Sequence, residues 1–173
     1  LGATSSSEGA ITMASARELS RQVADLLRSD HAQRIDFHLG GLAIGPAQLR
    51  RLADAIDDGL VRIETRPAAE LEDGAFGEYY AAADTSRHVK ANTILLRDSL
   101  NLNTSKGRAF AMHECVHATV DMTRATQTRA LAEEVAASLA ESLYLYQEVG
   151  QRQYDRWTDQ RATYYQECRS LVY

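Results

Sequence analysis

The sequence predicts an α+β fold, with a small, largely antiparallel sheet in the first half and a helical second half. Three observations carry that expectation. Of 10 glycines and 2 prolines, only Gly107 and Gly150 lie beyond residue 77, so the second half is almost free of helix breakers. The stretches that alternate apolar and polar residues or run apolar between turn residues all fall before residue 101. The chain has 173 residues, 45% of them hydrophobic and 25% charged, which suits one soluble domain with a sizeable core.

Residues 1–10 (LGATSSSEGA) are small and polar and read as a flexible leader, leaving residues 11–173 as the single domain. The leader has no apolar stretch of the kind an intact signal peptide carries. From residue 12 to 28 the pattern is helical, with Leu19, Val23, Leu26 and Leu27 on one face. Residues 35–44 (IDFHLGGLAI) read as a short strand broken by a turn or bulge at Gly40-Gly41. Pro46 opens a second helix whose stripe is Leu49, Leu52, Ala53 and Ile56, and Gly59 ends it. Residues 61–65 (VRIET) alternate as a half-buried strand does, and 78–83 form a further candidate strand. Residues 92–100 (NTILLRDSL) make the strongest strand of the chain. Three helices follow: from Thr104 or Ser105 to Arg124, from Gln127 to Val149 with Gly150 as the stop, and over residues 151–171.

The net charge of −5 argues against a nucleic-acid-coating role, which needs basic residues to neutralise phosphates. Tyr154, Trp157, Tyr164 and Tyr165 alternate with Arg152, Arg156 and Arg161 near the end, a pattern that a packed helix with solvated arginines explains at less cost than nucleic-acid binding does. No apolar run reaches the ~18 residues that a membrane span needs. Two cysteines, Cys115 and Cys168, cannot build a disulfide scaffold or a four-cysteine zinc site.

One string carries chemistry: His113-Glu114-Cys115-Val116-His117. Residues four apart on a helix stack on one face, so both imidazoles can reach the same metal ion. Glu114 lies one step round the helix, where its carboxylate can meet a water on that metal without being a ligand. Cys115 points away and reads as a small buried residue. Asp121, one turn beyond His117, is better placed to support the site from behind than to oppose both histidines. His31, His38 and His88 all precede the motif, so the third ligand is sought among downstream carboxylates, with Glu133 and Glu134 as candidates. The wheel favours Glu133, which has Ala136, Ala137 and Ala140 around it, whereas Glu134 shares its side with Ser138 and Glu141 as a solvated face would.

Residues 113–121 (HECVHATVD) and the helix LAEEVAASLA at 131–140 resemble the gluzincin-type zinc metallopeptidases, such as thermolysin and anthrax lethal factor. In that family a glutamate on a downstream helix completes the site, commonly followed by Ala at +3, a bulky apolar residue at +6 and Ala at +7. Counting from Glu133 gives Ala136, Leu139 and Ala140, so the resemblance points to Glu133 as the third ligand and Glu134 as its runner-up. The histidine that metzincins carry six residues after the motif is Thr123 here, and the aspartate some gluzincins carry four residues after the ligand glutamate is Ala137.

The resemblance implies a zincin-like fold and one catalytic Zn2+ held by His113, His117 and Glu133. It also implies an edge strand before the motif, a place that residues 92–100 would take, where extended substrate is added to the sheet. The activity implied is endopeptidase hydrolysis of peptide or protein substrates through a metal-activated water, with Glu114 as general base. The oxyanion donor would come from Tyr79, Tyr80, His88, Tyr144 or Tyr146. A catalytically silent zincin-like domain that binds metal or a partner is the alternative. A small secreted or delivered bacterial enzyme would fit the first reading, with neither nucleic acid nor membrane as partner.

Overall fold

The computed structural model describes residues 6–72, 74–123, 130–150 and Tyr154. Within them the elements run α1 (Ser6–Arg28), β1 (Phe37–Leu39), β2 (Leu42–Ile44), α2 (Pro46–Asp57), β3 (Arg62–Arg66), β4 (Gly77–Tyr80), β5 (Thr93–Arg97), α3 (Ser105–Met122) and α4 (Ala130–Val149). The chain is therefore a mixed α+β protein with small sheets. Helix α1 begins six residues before the expected start at residue 12 and takes in part of the segment read as a leader. Once a helix is nucleated by packed residues, each added residue costs little. The helix expected over 151–171 lies outside the described residues except for Tyr154, which is buried and meets Tyr146 edge-on at 5.7 Å.

What reads in sequence as one interrupted strand at 35–44 is a two-stranded antiparallel hairpin, with Phe37 opposite Ile44 and Leu39 opposite Leu42. Gly40 and Gly41 both have positive φ, 56° and 89°, which is what a two-residue turn between twisted strands demands.

The second sheet has the order β3-β5-β4. Strands β3 and β5 run parallel, Ile63 beside Ile94, while β4 runs antiparallel to β5, Tyr79 beside Ile94. The second sheet is therefore mixed, although two of the three strand pairings among the described residues are antiparallel, as expected. Alternation within a strand carries no direction, and the long 67–92 connection lets the chain cross to the far edge as β4 before returning to the centre.

The strand over 92–100 is not at the edge either. Thr93, Ile94, Leu95 and Leu96 are all buried, because β5 is covered on both faces, and a continuous apolar run is the mark of such a strand. Ile94 and Leu96 join Ile63 in the main core, while Leu95 packs on the other face with Leu71 and Val89. The edge beside α3 is β4.

Helix α1 buries Val23, Leu26 and Leu27, and α2 buries Leu49, Leu52, Ala53 and Ile56, the stripes read from sequence. Helix α3 is the centre of the molecule, with Ala109, Ala111, Met112, Cys115, Val116 and Ala118 in the core. It packs along α4, whose Ala136, Ala137 and Ala140 are fully buried. Small residues there let the two helices approach closely, which brings the carboxylates of α4 onto the histidines of α3. Among the described residues no helix is long and apolar enough to cross a membrane.

Candidate metal centre

Helix α3 starts at an N-cap, Thr104, whose side chain accepts a hydrogen bond from the Gly107 backbone N–H at 3.1 Å. Two turns on, His113 and His117 stand one above the other with ring centroids 5.1 Å apart. Both are largely sheltered, because α4 lies over them.

The two nitrogens of each ring have different partners. His113 Nδ1 is 3.2 Å from Glu141 Oε2, and His117 Nδ1 is 3.0 Å from Glu133 Oε1. An Nδ1–H that donates to a carboxylate leaves the Nε2 lone pair for a metal, and orients the ring that carries it. Both Nε2 atoms face one side chain: Glu134 Oε2 is 3.6 Å from that of His113, and Glu134 Oε1 is 3.5 Å from that of His117. His113, His117 and Glu134 thus form a group whose ligand atoms lie within 4.8 Å of one another.

These separations suit a zinc ion. Four ligands at ~2.1 Å in a tetrahedron stand about 3.4 Å from each other, close to the nitrogen–oxygen distances above. The charge fits as well, since Glu114, Glu133, Glu134 and Glu141 crowd around two imidazoles, an excess of negative charge that a divalent cation would offset.

The structure therefore groups Glu134, not Glu133, with the two Nε2 atoms. Glu133 sits behind His117, at its Nδ1. Neighbouring helix positions differ by about 100°, but both glutamate side chains are long enough to reach α3 from the same turn. Glu141, which the sequence places on a solvated face, is 3% exposed and supports His113. A lone carboxylate in the largely apolar stretch 135–146 of α4, seven residues after Glu134 and so on the same face, is the signal that could have found it.

Asp121 turns to β4 instead of the histidines and accepts a hydrogen bond from the Tyr79 hydroxyl at 2.8 Å, tying β4 to α3. Burial first, then the Asp121 carboxylate, pushes the Tyr79 hydroxyl pKa up and keeps it a donor. Among the other candidate oxyanion donors, Tyr80 hydrogen-bonds Glu78 at 2.6 Å on the opposite face of β4, and His88 is an exposed loop residue in left-handed conformation at φ 55°. Tyr144 is buried in the core, and Tyr146 packs on Tyr154. Tyr79 stands against the motif helix at Asp121, and Glu133 also acts on its pKa.

Glu114 is 8% exposed and points towards the edge strand. Gly77 allows this: a Cβ there would lie 2.6 Å from Glu114 Cγ and 2.9 Å from the Leu95 carbonyl oxygen. Sequence reasoning passed Gly77 over, since a lone glycine at a strand start looks like an ordinary turn residue. Burial is the main reason the Glu114 carboxyl is raised to about 7; His113 pulls the other way, and Glu134, Glu141 and Glu78 add to the rise. Burial works against charging His113, but the hydrogen bond to Glu141 and the surrounding carboxylates outweigh it, so its pKa stands above the ordinary value. Cys115 is fully buried, which raises its thiol pKa and makes it a packing residue, as its helical position implies.

No model of a known protein family matches the chain, and no curated protein or solved structure does so either.

Proposed function

We propose that the chain is a zinc-dependent endopeptidase with a compact zincin-like arrangement, its metal held by Nε2 of His113, Nε2 of His117 and the Glu134 carboxylate. The observation that carries this reading is the convergence of those three groups beside a buried glutamate that is not one of them. A purely structural zinc site is closed by four protein ligands and has no use for a neighbouring base. A zinc ion held by three protein groups supplies a Lewis acid that lowers the pKa of water and polarises a carbonyl.

The chain's own residues would do the rest. Glu133 and Glu141 hold the two imidazoles in the tautomer that presents Nε2. Glu114 takes a proton from the water as its oxygen bonds to the peptide carbonyl carbon, and gives that proton to the amine nitrogen as the C–N bond breaks. Tyr79 and Gly77 fix the edge strand against α3, and the outer edge of β4, which has no strand beside it among the described residues, is where an extended peptide could add.

The test uses a general protein substrate with zinc-loaded protein and its Glu114→Gln variant. Cleavage by the parent, and at least about a thousandfold less by a variant that keeps its zinc, is the expected result. Zinc bound by both with cleavage by neither would instead make this a silent metal-binding domain.

A further inference from the structure

By register, Glu64 and Arg66 of β3, Leu95 of β5 and Glu78 and Tyr80 of β4 share the face of the second sheet turned away from α3. Two connections cover that face, 67–76 and 81–92, with Leu71 and Val89 packed on Leu95. Between them lies a cavity of about 500 Å³, a volume in the range of small-molecule sites. Its walls are pinned. Arg87 donates to the Glu78 carboxylate at 2.8 Å, to the Tyr80 hydroxyl and to the Glu70 carbonyl, and Glu78 also accepts from the Glu72 backbone N–H. Asp84 and Val89 exchange two backbone hydrogen bonds of 2.9 Å across the second connection.

Three chemistries line this cavity. Leu71, Val89 and Leu95 supply an apolar floor. Arg66 supplies a guanidinium whose ion pairs with Glu64 and Glu70 are 3.3 and 3.4 Å long, against ~2.8 Å for a close charge-assisted bond. Its Nε–H is buried with no partner among the described residues, which is rare for a buried donor. Glu70 and Glu72 supply exposed carboxylates, and that of Glu72 has no ion pair among the described residues. Arg66 thus lacks an acceptor and Glu72 lacks a donor, while Arg87 is already matched by Glu78. A purely anionic ligand would meet the two glutamates, and a purely cationic one would meet Arg66.

We propose that this cavity binds a free α-amino acid or a short peptide with an apolar side chain, as its zwitterion. The carboxylate takes the Nε side of the Arg66 fork, the ammonium group lies at Glu72 and Glu70, and the side chain covers the apolar floor. Binding replaces the long Arg66–Glu70 pair by two closer ones. The inference stands apart from the peptidase reading, although molecules of this class are also what peptide hydrolysis releases.

Calorimetry on the full chain tests it, with leucine and Leu-Leu as probes, each with and without bound zinc. The controls are N-acetyl-leucine, which has no ammonium group, leucinamide, which has no carboxylate, and inorganic phosphate. At least one probe should bind with a Kd of about 1 mM or tighter, equally well with and without zinc, and every control about tenfold more weakly or worse. Arg66→Gln and Glu72→Gln should each weaken the probe about tenfold. Glu72 has no ion pair to lose, so that variant should keep its fold. Leucine binding at least as tightly as Leu-Leu identifies the free amino acid as the ligand, and tighter binding of Leu-Leu identifies a peptide. No binding of either probe at ~10 mM, a control that binds as tightly as the probes, or an affinity unchanged in either variant overturns the proposal. So does binding that appears only with zinc, which would put the ligand at the metal centre instead.

Discussion

Replacing Glu114 by Gln in zinc-free protein should stabilise the fold, and by an amount that depends on pH in a defined way. The carboxyl is 8% exposed, and burial raises its pKa from 4.5 to about 7. A carboxyl held above its unfolded value is bound to its proton more tightly in the folded state. Its contribution is therefore fully present below pH ~4.5 and is lost as the pH rises towards 7, where the folded chain must ionise it. At ~1.4 kcal/mol per tenfold change in protonation, the loss is about 3 kcal/mol. Gln has nearly the same shape and no charge to desolvate, so the stability difference between variant and parent should grow by about 3 kcal/mol between pH 4.5 and 8 and then level off. Urea unfolding with a chelator present, at a series of pH values, measures it. Taking the difference cancels titrations that the two proteins share. A difference that stays flat over that range would refute the assignment of a desolvated carboxyl at 114.

Three further changes probe the frame around the site. Gly77→Ala puts a methyl group 2.6 Å from Glu114 Cγ and 2.9 Å from a backbone oxygen that cannot move aside, so melting experiments should show a loss of about 1–3 kcal/mol, with activity falling alongside. Tyr79→Phe removes the hydrogen bond to Asp121 but leaves an exposed carboxylate that water can solvate, so chemical denaturation should show a loss of only about 1 kcal/mol. Ile94→Ala opens a hole at a fully buried position shared by the sheet and the helices, and should cost about 2–5 kcal/mol in the same assay.

The parts of the site that depend on one helix were legible in the sequence. His113 and His117 need only the 3.6-residue period of α3 to share a face, and Glu114 needs only to be one step round from them. The third carboxylate depends on how α4 is rotated against α3, which local composition cannot give. The small residues at 136, 137 and 140 mark the packed side of α4, but two adjacent glutamates on long side chains both reach across from it. Counting along the chain therefore selected Glu133, while the packing groups Glu134 with the histidines and turns Glu133 to His117 Nδ1. The same limit acted on the sheet. The apolar run of β5 announced a strand, but its place at the centre followed from covering on both faces, a tertiary fact. The role of Gly77 became visible only when β4 was laid against α3.

Zinc binding by the purified chain and its glutamate variants tests the central claim most directly. After equilibration with zinc and exhaustive dialysis, elemental analysis should find one zinc per parent chain. Glu134→Ala should lose it with the His117→Ala variant, whereas Glu133→Ala, which removes only an orienting partner, should retain zinc with affinity lowered about 10–100-fold. A parent chain that takes up no zinc, or a Glu134→Ala variant that binds it as tightly as the parent, would contradict the account.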